Sequence, residues 1–137
     1  GSLEQDLKEL AKKLNIKENV VFEGFHGNIL DEIKDAGMYV LSSDYEGISN
    51  SLLEAMGMGM PVISTDCPSG GSKMCIQNGV NGILVPVAQS DALATAMEKI
   101  AGSEDFAARI GKAAIEVRER FSMQSIVEQW MELLTGL

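Results

Sequence analysis

Two acidic residues, Glu46 and Glu54, flank a seven-residue segment with the sequence Gly-Ile-Ser-Asn-Ser-Leu-Leu. A strand-like apolar run at 38–42 precedes this segment, and a helix-like run at 52–56 overlaps its end. Backbone N–H groups at the start of a helix favour anions, above all phosphates. A carboxylate is not suited to bind a phosphate, so the two glutamates would bind groups attached to that phosphate. This arrangement predicts a site for a nucleoside diphosphate that carries a sugar.

The residues between the two glutamates are suited to contact a diphosphate mainly through their backbone. Gly47 allows the backbone to approach a ligand closely and tolerates unusual dihedral angles. Ser49, Asn50 and Ser51 add short side chains and exposed N–H groups. Simple capping of the helix is the alternative role of these three residues, and it is compatible with phosphate binding.

Glu54 has two interpretations that the sequence does not separate. Ser51-Leu-Leu-Glu54 matches a capping box, in which both side chains bind backbone N–H groups at the helix start. A glutamate one turn into the helix would instead accept hydrogen bonds from ribose hydroxyls, as acidic residues do in dinucleotide folds. For Glu46 the alternative is a solvated surface carboxylate. Ligand binding is favoured there, because the loop that carries Glu46 follows a predicted strand.

Other candidate residues give weaker signals. His26 follows Phe25 at the end of the first predicted strand, where it would contact a nucleobase, although an exposed loop histidine without a function is more common. The stretch Gly70-Gly-Ser-Lys73 resembles a phosphate-binding loop, but a flexible turn is the favoured interpretation. Because His26 is the only histidine and no Cys-x-x-Cys pair exists, we expect no metal site.

The composition excludes several functional classes. A chain of 137 residues is long enough for one domain with a core. Its net charge is −9 without a basic cluster, so nucleic acid and anionic membranes are not expected as direct partners. No apolar run approaches the roughly 20 residues that span a bilayer. Cys67 and Cys75 are predicted to be free thiols of a cytoplasmic protein.

Hydrophobic periodicity predicts strands that alternate with helices. The predicted strands are 20–24, 38–42, 61–65 and 83–86. The predicted helices are 3–14, 29–33, about 50–58, 91–101 behind the N-cap candidate Ser90, 107–121 and 125–134. Short apolar strands between helices predict the α/β class, with a Rossmann-like parallel sheet and helices on both faces. Ligands of such sheets bind beyond the carboxyl ends of the strands, where the loop at 43–49 is predicted to lie.

Three motifs together resemble a known enzyme family. They are the Glu46-x7-Glu54 pattern, the run Ala-Met-Gly-Met-Gly-Met-Pro-Val-Ile-Ser-Thr-Asp-Cys, and the run Asn-Gly-Val-Asn-Gly-Ile-Leu-Val-Pro. The sequence resembles the C-terminal, donor-binding half of GT-B glycosyltransferases, most closely the retaining group 1 or family 4 enzymes. The similarity extends from Leu3 to the end of the chain. It implies a truncated C-terminal half of the GT-B fold, with residues 3–137 as a partial nucleotide-sugar-binding domain.

The resemblance also implies a role for each candidate residue. Glu46 would be the catalytic carboxylate beside the donor sugar, and Glu54 would bind the ribose hydroxyls. The diphosphate would be held by the backbone amides of Gly47, Ile48, Ser49, Asn50, Ser51 and Leu52. The nucleobase would lie near Phe25 and His26. Such enzymes usually need no metal or other cofactor, and a UDP-sugar is the expected donor.

The reaction and the partners follow from the same resemblance. The full-length protein would transfer a sugar, with retention of configuration, to a glycan or lipid-linked acceptor in bacterial polysaccharide biosynthesis. It would act in the cytoplasm, at the inner face of the cell membrane. Residues 1–2 would be a cloning scar, and the first two strand units and the acceptor-binding N-terminal domain would be missing. We therefore expect this chain to be inactive alone and to expose apolar surface that favours a homodimer.

Two other functions stay open on the sequence alone. The first is a non-catalytic nucleotide-binding or scaffold module with the same fold. The second is a GT-B epimerase or phosphorylase, which is less favoured because the Glu-x7-Glu pattern is typical of the transferases. Met74 departs from the family pattern, since an acidic residue is common at this position.

Overall fold

The computed structural model describes residues 2–25, 27 and 29–136. The chain divides into two compact units, of which the first ends at Ile33 and the second begins at Lys34. Helices α1 and α2 belong to the first unit: α1 is Glu4–Lys13 and α2 is Ile29–Ile33. Acidic residues in the first turn of α1 and lysines in its last turn complement the helix dipole. The predicted helices at 3–14 and 29–33 are thus confirmed.

The predicted strand at 20–24 does not form. A 3₁₀ turn, Lys17–Asn19, precedes this stretch, and Val20 has extended dihedral angles with φ −117° and ψ 122°. Residues 20–24 nevertheless have no strand partner within the described ranges, and Val21 is 75% exposed. A strand is stable only when a neighbouring strand pairs with its backbone. The high β propensity of this stretch is therefore not sufficient, and the prediction is wrong for lack of a pairing strand.

The second unit is built on a parallel sheet of three strands in the order β1-β2-β3. The strands are β1, Tyr39–Leu41, β2, Val62–Asp66, and β3, Ile83–Pro86. In the register Tyr39 lies opposite Val62, and Ile63 lies opposite Ile83. All three strands coincide with predicted ones. Strand β2 starts one residue late, after Pro61, because proline has no N–H group to donate to a ladder.

The helices of the second unit lie near their predicted positions, but the described structure contains more helices than were predicted. They are α3, Asn50–Gly57, α4, Gly71–Cys75, α5, Ser90–Ala101, α6, Glu104–Ala114, α7, Val117–Arg120, and α8, Met123–Thr135. The predicted helix at 107–121 is divided into α6 and α7, because i to i+3 hydrogen bonds replace the α-helical pattern around Glu116. Gly70-Gly-Ser-Lys73 is not a flexible turn, since it leads into α4.

Serine caps explain two helix starts that the prediction placed too late. The Ser103 side chain accepts a hydrogen bond from the Phe106 N–H at 3.3 Å, and α6 begins directly after it. The Ser122 side chain accepts from the Ser125 N–H at 3.1 Å, and α8 begins directly after it. Ser90, the predicted cap of α5, is instead the first residue of that helix.

Helices cover both faces of the sheet, as predicted for the α/β class. Successive strand residues point to opposite faces. On one face, Ile63, Ile83 and Val85 form a buried cluster with residues of α5 and α6. On the opposite face, the Ser64 hydroxyl lies 2.8 Å from that of Ser72 in α4, and α3 also packs against β2. The sheet is therefore buried on both sides, and its ligand-accessible region is confined to the strand ends.

Helix α6 lies so close to the turn before β2 that a side chain does not fit between them. A Cβ atom on Gly111 would lie 2.3 Å from the carbonyl oxygen of Gly59 and 3.4 Å from the Cδ atom of Pro61. Backbone atoms cannot move aside as a flexible side chain can. Glycine is therefore required at position 111 for space.

We predict that Gly111→Ala lowers the free energy of unfolding by about 1–3 kcal/mol, as in overpacked cores. The loss should occur although alanine favours a helix by about 1 kcal/mol over glycine. Urea unfolding followed by circular dichroism measures it. Gly37→Ala is the matched control, because a Cβ there would meet nothing within 4 Å. Equal effects of the two substitutions would contradict the prediction.

Candidate functional site

The carboxyl ends of the three parallel strands meet at one edge of the sheet, and a cavity of about 270 Å³ lies there. Its lining residues come from the ends of β2 and β3, from the loops after β1 and β3, and from the start of α5: Ser42, Asp44, Thr65, Pro86, Ala88, Gln89, Ser90 and Leu93. None of these residues was predicted as a site residue. Their position after parallel strands was the available signal. Glu46 and Glu54 do not line this cavity. The cavity therefore includes a residue close in sequence to the predicted site, Asp44, but neither of the two predicted carboxylates.

The loop that leaves β1 is tied to β2 at its beginning. The Thr65 hydroxyl donates to the Ser43 carbonyl at 2.5 Å, and the Cys67 thiol donates to the same carbonyl at 3.1 Å. Both donors are buried. The loop therefore leaves the sheet edge in a fixed direction before it reaches Glu46.

The middle of the same loop is in backbone contact with the start of α4. A Cβ on Gly71 would lie 2.0 Å from the carbonyl oxygen of Gly47 and 2.7 Å from the amide nitrogen of Ile48. The Ser69 hydroxyl donates a hydrogen bond to the Glu46 carbonyl. The Gly70-Gly71 stretch thus packs directly against the loop at 43–49, which carries Glu46 and is called the Glu46 loop below.

Helix α3 begins without a side-chain cap from any described residue. Ser49 occupies the N-cap position, but its hydroxyl lies 3.0 Å from the Ser51 hydroxyl instead of at a backbone N–H. The Ser51 hydroxyl in turn lies 2.7 Å from the Tyr39 hydroxyl. The capping box of Ser51 and Glu54 does not form, because Ser51 is already inside the helix. The first-turn N–H groups of Asn50, Ser51 and Leu52 precede the first α-helical bond, from Leu53 N–H to Ser49 O at 3.1 Å.

The predicted site residues differ in what they present to solvent. Glu46 is half-buried and Glu54 is exposed, and neither carboxylate has a hydrogen-bond or ion-pair partner among the described residues. Gly47, Ile48, Asn50 and Ser51 are exposed. Ser49 is 8% exposed and Leu52 is fully buried, so these two can reach a ligand only through the backbone.

The predicted base-binding residues belong to the first unit of the chain. Phe25 is 97% exposed there. His26 lies outside the described residues. Contact of either residue with a nucleobase stays a prediction.

Both cysteines are free and buried. Burial raises the pKa of the Cys75 thiol, and the nearby Arg120 guanidinium opposes this shift. Arg120 also donates to the Met74 carbonyl at 2.7 Å, which fixes the end of α4. A buried thiol with a raised pKa is not a nucleophile at neutral pH, so Cys75 has a packing role.

Within residues 2–25, 27 and 29–136, no group of three or more His, Cys, Asp or Glu side chains is arranged to hold a metal ion. None of the helices described above has the length and apolar character that a membrane span requires.

The sequence is similar to known proteins along most of its length. The family described as "Glycosyl transferases group 1" matches residues 1–117. The "Uncharacterized glycosyltransferase MJ1059" of Methanocaldococcus jannaschii is 28% identical over 99% of this chain. The "Lipopolysaccharide core biosynthesis glycosyltransferase LpsE" of Rhizobium meliloti is 27% identical, again over 99% of this chain.

A solved structure has the same fold. The crystal structure of Anabaena Alr3699/HepE in complex with UDP matches 97% of this chain with a TM-score of 0.87 and 26% identity. This chain spans 40% of the length of each of the two relatives and 36% of the HepE chain. Together these matches confirm the resemblance that the three sequence motifs indicated.

The buried hydroxyl pair of Ser64 and Ser72 provides a test of how α4 is attached to the sheet. Their oxygens lie 2.8 Å apart, and both residues are almost completely buried. We predict that Ser64→Ala lowers the free energy of unfolding by about 1–3 kcal/mol, because it leaves the buried Ser72 hydroxyl without this partner. Ser72→Ala should cost less, about 0.5–1.5 kcal/mol, because the Ser64 hydroxyl keeps its hydrogen bond to the Thr65 carbonyl at 3.3 Å. The double variant should cost less than the sum by about 0.5 kcal/mol or more. Additive losses in urea unfolding would show that the two hydroxyls are not coupled.

Proposed function

Because this chain belongs to the group 1 glycosyl transferases, we propose that it supplies the donor-binding part of a retaining glycosyltransferase that uses a UDP-sugar. The observation that carries the proposal is the uncapped start of α3, which lies between two carboxylates without partners in the described chain. A helix start without a side-chain cap leaves N–H groups and the positive end of the dipole for an anion. UDP provides that anion as a diphosphate.

The proposed diphosphate contacts are backbone contacts. Gly47 and Ile48 precede the helix, and the N–H groups of Asn50 and Ser51 lie in its first turn. Such contacts require no particular side chain, which agrees with the burial of Leu52 in the core. No metal ion or other cofactor enters this proposal.

The two carboxylates have separate proposed roles. Glu54 is exposed one turn into α3, where it would accept hydrogen bonds from the ribose hydroxyls. Glu46 lies before the phosphate-binding turn, where it would orient the donor sugar and stabilise positive charge on the reacting carbon. Phe25 and His26 remain the proposed contacts of the uracil base.

The reaction itself is proposed for the longer protein, since this chain spans only 40% of LpsE and of MJ1059. The bond from the sugar to the diphosphate would break through an oxocarbenium-like state. The acceptor hydroxyl would then attack from the side of the leaving group, so that the configuration is retained. The acceptor would be a glycan or lipid-linked saccharide of bacterial polysaccharide biosynthesis, bound by the remainder of the protein near the inner face of the cell membrane. The HepE complex with UDP and the role of LpsE in lipopolysaccharide core biosynthesis support this proposal.

A non-catalytic scaffold with the same fold is the less favoured alternative. MJ1059 and LpsE, which each match 99% of the chain, are both named as glycosyltransferases.

The chain also exposes an apolar face on α8, which we propose as a contact between two copies. Trp130 is 59% exposed, Leu133 is 72% exposed and Leu134 is 75% exposed. Exposed apolar clusters of this kind favour association. We expect light scattering to give the mass of a dimer for the chain and of a monomer for Leu134→Glu. An unchanged mass in the variant would exclude α8 as the contact.

Titration of the ¹⁵N-labelled chain with UDP tests the nucleotide site. We expect the amide signals of 47–52 to shift with UDP and not with uridine, because the diphosphate provides the contact. Glu54→Gln should weaken UDP binding roughly 10-fold or more, the effect of losing a hydrogen bond to a charged group. Glu98→Gln, an exposed carboxylate on α5, is the matched control. If UDP at millimolar concentration shifts no amide in 47–52, the proposed site is wrong.

A further inference from the structure

We propose that Ser69 and Gly71 are positioning residues that hold the Glu46 loop in the orientation needed to bind the donor sugar. The inference rests on the proposed function for the role of Glu46. Neither residue touches the ligand in this proposal. Both act on the loop through its backbone.

Gly71 provides the closest contact to the loop. A Cβ at this position would lie 2.0 Å from the Gly47 oxygen, 2.2 Å from the Gly47 carbonyl carbon and 2.7 Å from the Ile48 nitrogen. These three atoms are all backbone atoms, so no side-chain rotation can relieve the overlap. Position 71 therefore requires glycine because the two backbones touch.

The space that a side chain of Gly47 would occupy is open, unlike the space next to Gly71. A Cβ on Gly47 would meet nothing within 4 Å. One side of the loop is thus supported by Gly71, and another side is open. We expect this asymmetry of a loop that packs against the protein on one side and faces a ligand on the other.

Ser69 fixes the residue just before this contact. Its hydroxyl donates to the backbone carbonyl of Glu46, and Ser69 itself is exposed. The bond restricts rotation of the peptide unit that joins Glu46 to Gly47. It therefore controls where the Glu46 side chain lies relative to the amides that follow.

The segment that carries Ser69 and Gly71 is itself anchored to the central strand. The Ser72 hydroxyl is paired with that of Ser64 at 2.8 Å, and the Lys73 ammonium lies 2.8 Å from the Asp66 carboxylate at the end of β2. A hydrogen bond from the Gly70 N–H to the Cys67 carbonyl at 2.9 Å closes the turn between β2 and α4. A segment held in this way can transmit the position of β2 to the Glu46 loop.

The test compares Ser69→Ala with Ser69→Thr in the 137-residue chain. The first readout needs no ligand: the ¹⁵N order parameters of the Gly47 and Ile48 amides, which report backbone motion on the ps–ns timescale. We expect both order parameters to fall from the range of rigid backbone, about 0.85, towards that of flexible backbone, below about 0.6, in Ser69→Ala, and to return towards the native values in Ser69→Thr, which keeps a hydroxyl. Gly71→Ala should lower them further, and Gly37→Ala should leave them unchanged.

The second readout is the ratio of the affinities for UDP-glucose and UDP, measured by titration. Because Glu46 is proposed to contact the sugar, Ser69→Ala should lower this ratio roughly 3- to 10-fold, the effect of one hydrogen bond, with UDP affinity nearly unchanged. A purely structural role would lower both affinities by the same factor together with global stability, and that result overturns the proposal.

The two readouts separate this inference from the proposed function. If the native chain binds neither UDP nor UDP-glucose, the proposed function fails and the order parameters alone decide the inference. Native order parameters at Gly47 and Ile48 in Ser69→Ala would then overturn it. Lower order parameters confined to 46–48 would support it even in that case.

Discussion

Strand β2 pairs with a parallel strand on each side, and the position of the site depends on this pairing. Its residues Val62, Ile63 and Ser64 are fully buried, because helices cover both faces and strands cover both edges. The strand therefore has no freedom to move within the second unit. Every group that fixes the Glu46 loop originates from it or from the segment that follows it: Thr65, Cys67, Ser69 and Gly71. A loop at the edge of a sheet acquires the rigidity of the central strand in this way, although most of its own residues are exposed.

The start of α3 shows how a helix is stabilised without a side-chain cap. The hydroxyl groups near this start bond one another: Tyr39 to Ser51, and Ser51 to Ser49. A cap would stabilise the helix by about 1 kcal/mol. The helix is also short, and its stability must come from the burial of Leu52, Ala55 and Met56.

The sequence was sufficient for the elements whose signals are local. Strand β3 and helix α2 have the predicted limits, since turn residues and apolar runs define them on both sides. The stretch at 20–24 has equally strong β propensity, yet it fails because strand formation depends on a partner that local sequence does not encode. The same distinction holds for the site. The Glu46-x7-Glu54 pattern located the turn, but it could not show that the Ser51 hydroxyl bonds to Tyr39, which is distant in sequence.

The contact of Gly71 with Gly47 could not be predicted from the sequence, because it also depends on residues that are distant in the chain. Gly70-Gly71 looked like a turn because two adjacent glycines commonly provide conformational freedom. Only Gly70 uses that freedom, with a φ of +76°, whereas Gly71 is glycine because another backbone occupies the space of its side chain. Requirements of the second kind appear only once the tertiary contact is known.

The charge of the chain limits how an anionic donor can be held. The net charge is −9, and Lys73, which follows Gly71 in the same segment, is already paired with Asp66 at 2.8 Å. Repulsion from distant carboxylates is largely screened beyond about 8 Å at physiological ionic strength, so the local groups decide the affinity. Arg120 is a second cation near this turn, since it lines one cavity together with Ile48. A helix start is equivalent to roughly half an elementary charge, whereas a diphosphate carries more than one. In the proposed site the amides would therefore position the diphosphate without neutralising it. In the proposed transfer, cationic side chains would have to balance the rest of the charge on the leaving diphosphate.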